Sequence, residues 1–137
     1  MSKKSGANAE RELLHMFCDK GFSAIRVAGS GSSTELSCDL LVGNGQLMAA
    51  IECKASKAKK KYLRTEQIND LVKFSNNFGL KALLAVKFAR NGWWFIHPEN
   101  LEKTGKGLAI SLEDIRNRGK SFEDLMGLYG NNKPIVN

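Results

Sequence analysis

The segment from Cys38 to Lys54 constrains this chain more than any other. Two runs, Cys38 to Val42 and Gln46 to Lys54, flank Gly43-Asn44-Gly45, and an Asn-Gly turn between such runs is a strong short-range hairpin signal. Strand side chains alternate between faces, so Glu52 and Lys54 point one way while Ile51 and Cys53 point the other. If the strand bearing Asp39 pairs beside them, Asp39 joins Glu52 and Lys54 on one edge. Two carboxylates and an ammonium so placed are a metal-nuclease constellation.

With 137 residues, 42% hydrophobic and 26% charged, the chain fits one globular domain able to bury its own core. A net charge of +7 favours a polyanionic partner such as nucleic acid. No apolar run approaches the roughly 20 residues that span a bilayer. Met1-Ser2-Lys3-Lys4-Ser5-Gly6 lacks the apolar stretch of a secretory signal, so no membrane association and an intracellular, cytoplasmic location are expected. Cys18, Cys38 and Cys53 are odd in number and lack zinc spacing, which fits a reduced compartment and a place in the core. Gathering Cys38, Cys53 and His15 around zinc is the less favoured alternative, and His15 and His97 read as structural or surface residues.

Apolar spacing predicts a first helix over Gly6 to Lys20, with Leu13, Leu14 and Phe17 on its stripe, ended by Gly21. A strand over Phe22 to Ala28 and the polar loop Gly29-Ser30-Gly31-Ser32-Ser33-Thr34 follow. This strand and the two of the hairpin form an antiparallel meander. A basic segment, Ser56 to Arg64, leads to a helix over Thr65 to Phe78, with Thr65 as a possible N-cap and Gly79 as its stop. Strands over Lys81 to Phe88 and Trp93 to His97 complete the sheet. Short helices over Leu112 to Arg116 and Phe122 to Leu128 and a flexible tail from about residue 130 close the chain. The fold class is α/β: a mixed central sheet of about five strands flanked by helices, in one domain over 1–137.

Glu10 lies on the helix stripe of Leu14 and Phe17, at i+4 and i+7. The helix macrodipole alone would favour a first-turn Glu, but a third carboxylate reaching toward Asp39 and Glu52 is the functional alternative. Phosphodiester hydrolysis needs an activated water and neutralisation of the phosphoryl charge, and carboxylate-held Mg²⁺ supplies both. Asp39 and Glu52 would be the main ligands, with the Cys53 backbone carbonyl and Glu10, directly or through water, beside them. Lys54 would orient the water or offset transition-state charge. Taken alone, Glu-x-Lys after an upstream Asp is common on strand edges, where it can be a surface ion pair. Context adds weight, because Glu52 follows the apolar run Leu47 to Ile51, where an unpaired carboxylate is costly.

These residues resemble the PD-(D/E)-x-K nucleases, which have a restriction-endonuclease-like fold, and within them the archaeal Holliday-junction resolvases. The resemblance spans Gly6 to about His97. It rests on Gly6-Ala7-Asn8-Ala9-Glu10-Arg11-Glu12, on Gly21-Phe22 followed by Arg26, and on Asp39 with Glu52-Cys53-Lys54. Phe74-Ser75-Asn76-Asn77-Phe78-Gly79 and Ala85-Val86-Lys87-Phe88 ahead of Gly92-Trp93 extend it. Cys38 stands where the motif's proline would be. The resemblance implies catalytic or metal-binding roles for Glu10, Asp39, Glu52 and Lys54, and for a loop serine, Ser30 first and Ser32 second. It also implies junction-handling roles for Arg11 and Arg26.

Glycines in the Gly29–Thr34 loop allow close backbone approach to a phosphate, and its serine hydroxyls can donate to the oxygens. Lys57, Lys59, Lys60, Lys61 and Arg64 directly follow the site and are assigned to sequence-independent phosphate contacts. With no recognition helix or zinc finger apparent, selectivity should be for DNA shape. A four-way junction needs two symmetric cuts, which a C₂ homodimer supplies. Leu71, Phe74 and Phe78 at helical spacing and the apolar Trp93-Trp94-Phe95-Ile96 strand read by default as core; the resemblance implies that this helix and strand, with Trp93 and Trp94, carry the homodimer interface. The expected activity is therefore Mg²⁺-dependent, structure-selective cleavage of Holliday junctions in recombination and repair, with recombination and replication proteins as possible partners. Another nuclease of the same fold, a repair nickase or restriction-type enzyme, is the first alternative, and a non-enzymatic junction binder the second.

Overall fold

The computed structural model describes residues 3–29 and 35–130. It opens with α1 (Lys3–Asp19), β1 (Ser23–Arg26), β2 (Leu40–Gly43) and β3 (Met48–Ser56). These strands form the expected antiparallel meander, with Ala24 opposite Val42 and Leu41 opposite Ala50. The hairpin turn is held by buried Asn44, whose Oδ1 accepts the N–H groups of Gln46 and Leu47, both at 2.9 Å. Gly45 supplies the positive φ of 88° that the turn requires.

The chain continues through β4 (Lys60–Leu63), α2 (Thr65–Phe78), β5 (Lys81–Phe88) and β6 (Gly92–Ile96). A 3-10 turn (Pro98–Asn100), β7 (Glu102–Thr104), β8 (Gly107–Ser111), α3 (Leu112–Arg118), β9 (Lys120–Ser121) and α4 (Phe122–Tyr129) follow. The main sheet has six strands in the order β1-β2-β3-β5-β6-β9, against about five expected. β3 and β5 run parallel, joined by the crossover through α2, as parallel neighbours require.

Strand alternation explains which face each helix covers. Ala49, Ile51 and Cys53 of β3 pack with Leu13 and Phe17 of α1 and Leu125 and Met126 of α4. Phe17 is edge-on to Phe22, Phe95 and Phe122, with centroids 5.1 to 5.8 Å apart, a geometry favoured by the ring quadrupoles. On the opposite face, Leu84, Val86 and Ile96 pack with Ile68 of α2, Leu63 of β4 and Ile115 of α3. Ala50 on that face meets Leu71 of α2.

Beyond the strand count, the structure departs from the sequence reading in three places. The basic segment is not a plain connector: Ser56 ends β3, and β4 joins β8 and β7 in a second, three-stranded sheet. Its pairing partner lies some 50 residues downstream (Lys60 opposite Ser111), too far for a local pattern to show. Thr65 is not the N-cap of α2. Arg64 holds that position in extended conformation without a side-chain cap bond, while Gly79 does end the helix in the left-handed region at φ 73°. Cys18 is exposed rather than in the core, whereas Cys38 and Cys53 are buried and all three are free thiols. Among the described residues, no helix is long and apolar enough to cross a membrane. The part of the expected tail beyond Gly130 lies outside the described residues.

Candidate active site

The site forms where β2 leaves β3. In the regular ladder Leu40 pairs with Ile51, yet the Asp39 N–H also donates to the Ile51 carbonyl, at 3.0 Å. The ladder has slipped by one residue, as at a bulge, and such irregularities re-aim side chains. The next β3 donor on this edge, the Cys53 N–H, goes to a side chain: Asp39 Oδ2 accepts it at 2.8 Å. A residue's N–H and C=O leave a strand on the same side, so the Cys53 carbonyl shares this edge with Asp39.

Glu52 and Lys54 point toward the α2 face, beside the buried Leu84 and Val86 with which they are in register. Their side chains are only 14% and 21% exposed, and Lys54 Nζ lies 3.5 Å from Glu52 Oε2. Burial, then the neighbouring Asp39 carboxylate, push the Glu52 carboxyl up to about 7, against the pull of Lys54. Asp39 and Glu52 are close enough to share a hydrogen bond. Their mutual electrostatic cost is what a cation between them would relieve.

Glu10 comes from α1, on the other side of the same edge. Arg26 of β1 donates its Nε to Glu10 Oε1 at 2.9 Å. Burial and then Asp39 raise the Glu10 carboxyl, opposed by Arg26 and Arg11. Asp39 and Glu52 are thus directly together. Glu10 is within electrostatic reach but engaged by Arg26, and no group of three metal-ligating side chains assembles among the described residues.

Asp39 and Glu52 line a cleft of about 340 Å³. One wall is Glu35 to Cys38; the other is the first turns of α2, with Arg64, Glu66, Gln67 and Asp70. Of the residues on this second wall only Arg64 was expected here. Gln67 donates its Nε2 to Glu52 Oε2 at 3.2 Å. The signal for it was in the chain: Gln67 extends the stripe of Leu71 and Phe74 at i+4 and i+7, the placement that marked Glu10.

The Asp39 and Glu52 carboxylates that line the cleft are the hard oxygen ligands suited to Mg²⁺. The two buried thiols are engaged in the core: Cys38 Sγ donates to the Leu40 carbonyl at 3.3 Å, and Cys53 packs among the residues under α1.

Ser30 and Ser32 lie outside the described residues. Lys57 and Lys59 are exposed between β3 and β4. Lys60 lies 3.6 Å from Glu102 and 5.3 Å from the Tyr62 ring centroid, and Lys61 is half-buried on the same strand. Of the expected interface residues, Leu71 is 1% and Trp93 4% exposed, both packed in core clusters of the single chain. Trp93 donates its indole N–H to Glu12 at 3.3 Å, which ties β6 to α1. The rings of Phe74 and Phe78 are in contact, centroids 4.8 Å apart and planes tilted by 34°, and Phe78 is 64% exposed. Trp94 is half-buried, its Nε1 donating to the Asn91 carbonyl at 2.8 Å.

A mixed sheet that presents an Asp and a Glu-x-Lys where two central strands diverge is the arrangement of the PD-(D/E)-x-K nucleases. A family model for archaeal Holliday junction resolvase (hjc) matches residues 1–133, and the chain belongs to that family. It is 38% identical to crossover junction endodeoxyribonuclease Hjc of Archaeoglobus fulgidus, over 91% of this chain and 97% of the relative. It is 35% identical to the Hjc enzyme of Methanocaldococcus jannaschii, over 88% and 92%. Identity to the Hje enzyme of Saccharolobus solfataricus is 33%, over 84% and 89%. The solved structure of A. fulgidus Hjc, a Holliday junction resolvase, superimposes with a TM-score of 0.81 at 37% identity, covering 88% of this chain and 97% of that one.

Proposed function

We propose that this chain is a crossover junction endodeoxyribonuclease that cuts four-way DNA junctions by Mg²⁺-dependent phosphodiester hydrolysis, introducing paired symmetric nicks in recombination and repair. The observation that carries the reading is the meeting of Asp39 and Glu52 at the slipped end of β2, with Lys54 on Glu52, in a chain of the resolvase family. Asp39, Glu52 and the Cys53 carbonyl would hold the cation, with Glu10 on the α1 side contributing directly or through water. When bound, the cation would act as a Lewis acid on the phosphoryl oxygens and favour ionisation of the attacking water. Lys54 offsets negative charge at the scissile phosphate, and Arg26 orients Glu10. A loop serine, Ser30 before Ser32, would contact the scissile phosphate.

Lys57, Lys59, Lys60, Lys61, Arg64 and Arg11 supply phosphate contacts that hold DNA by charge rather than sequence. A C₂ dimer would give two matched sites, one for each of the two strands to be cut. Exposed Phe78, with half-buried Phe74 against it and half-buried Trp94, is the surface assigned to that contact, since an aromatic ring this exposed favours burial against a partner. A monomer mass by light scattering at micromolar concentration would count against the dimer. Activity is tested with Asp39→Asn and Glu52→Gln on a synthetic four-way junction. Each should retain junction binding and lose cleavage; unchanged cleavage would sink the assignment.

A further inference from the structure

Gln67 is the third residue of α2 after its N-cap, Arg64. From that position a glutamine can reach back to the N-cap N–H, its half of a capping box. Among the described residues its side-chain hydrogen bond goes instead to Glu52 Oε2. The helix start thus has neither a capping side chain from Arg64 nor a capping-box bond from Gln67. Gln67 also occupies the polar end of an otherwise apolar stripe, where Leu71 is buried and Phe74 half-buried. A residue that would stabilise the helix by capping is turned to the cleft.

Two donors converge on the same oxygen of Glu52: Gln67 Nε2 at 3.2 Å and Lys54 Nζ at 3.5 Å. The terminal torsion of a glutamate is broad and roughly two-fold, so an untethered carboxylate samples orientations that spoil a metal site. Lys54 is a long, flexible tether, whereas Gln67 projects from the first turn of a helix packed on the sheet through Ile68 and Leu71. We propose that Gln67 is a positioning residue: its amide pins Glu52 Oε2 so that Oε1 is presented toward Asp39 and the cation proposed between them. This rests on the Mg²⁺-nuclease reading above. Outer-shell partners that orient a ligating group change metal affinity or activity by about 10- to 100-fold when removed.

The test uses the full chain with Gln67→Met, which keeps the side chain's length and loses its donor, and Gln67→Ala as a second variant. Binding of Mn²⁺ and of Mg²⁺ is measured by calorimetry without DNA, alongside Mg²⁺-dependent single-turnover cleavage of a four-way junction. Both variants should melt within about a degree of wild type when metal-free, bind the junction normally in EDTA, and bind metal about 10-fold more weakly. Their cleavage should recover toward the wild-type rate as Mg²⁺ is raised. Wild-type metal affinity in Gln67→Met would overturn the proposal, as would a lowered melting temperature with an unchanged Mg²⁺ dependence, which would make Gln67 a helix-stabilising residue only. A wild-type chain that binds metal through Gln67-supported Glu52 but leaves junctions intact would defeat the proposed function, not the positioning role.

Discussion

Asp39 accepts the backbone N–H of Cys53 through Oδ2 at 2.8 Å, so one carboxylate both completes a strand edge and serves the cleft. The two roles separate by mutation. Asp39→Ala leaves the Cys53 N–H without its acceptor and should destabilise the chain by about 1–3 kcal/mol. Asp39→Asn keeps a carbonyl oxygen for that bond and should stay close to wild-type stability while cleavage is lost in both. Urea unfolding of the two variants decides this; equal loss of stability would show that the charge, not the acceptor, matters to the fold.

The Glu52 carboxyl gives the metal-free protein a signed pH dependence. Its ordinary value is 4.5 and the native one about 7, so the native state holds its proton after the unfolded chain has released it. Stability therefore falls as pH rises from 4.5 to 7 and levels off above. The groups facing it are Asp39, Lys54 and Gln67. Glu52→Gln removes this slope: the metal-free variant should match wild type near pH 4 and exceed it at pH 8 by up to about 3 kcal/mol, from the difference between 7 and 4.5. Thermal melts in EDTA check it, and a variant less stable than wild type at pH 8 would contradict the cost of burying the Glu52 charge beside Asp39.

Thiol chemistry reports the burial of the site. Cys18 is exposed, while Cys38 and Cys53 are buried with both thiols raised by burial and Asp39. Iodoacetamide at pH 8 should modify only Cys18 in the native protein and all three after unfolding, as read by peptide mass mapping. Rapid native labelling at Cys53 would mean that the β2–β3 edge opens.

The exposed lysines before β4 should act through counterion release. Lys57→Ala with Lys59→Ala should weaken junction binding at every sequence tested and flatten the log–log salt dependence by about 0.9 for each phosphate no longer neutralised. An unchanged salt slope would place the DNA elsewhere.

Local sequence pattern made the central parts of this molecule legible. The Gly43-Asn44-Gly45 turn, the alternation that aims Glu52 and Lys54 together, and α2 over Thr65–Phe78 were readable because each is decided by neighbours within a few residues. Glu10 was readable as a carboxylate on an apolar stripe. The second sheet was not, since Lys60-Lys61-Tyr62 shows no strand alternation and its partner, β8, is remote. The burial of Leu71 and Trp93 follows the default reading of apolar residues at helical and strand spacing as core; spacing alone does not say which of them a partner would also use. Gln67 repeats the i+4 and i+7 placement that singles out Glu10, but an amide on an apolar stripe carries no charge to mark it as functional.

The decisive measurement is cleavage of a synthetic four-way junction by the wild-type chain, with Mg²⁺ and with EDTA. A resolvase built on Asp39, Glu52 and Lys54 should leave paired nicks on opposing strands near the branch point with Mg²⁺, intact junctions in EDTA, and linear duplex of the same sequence uncut. Junction binding without cleavage at any Mg²⁺ concentration, or equal cutting of linear duplex, would contradict it.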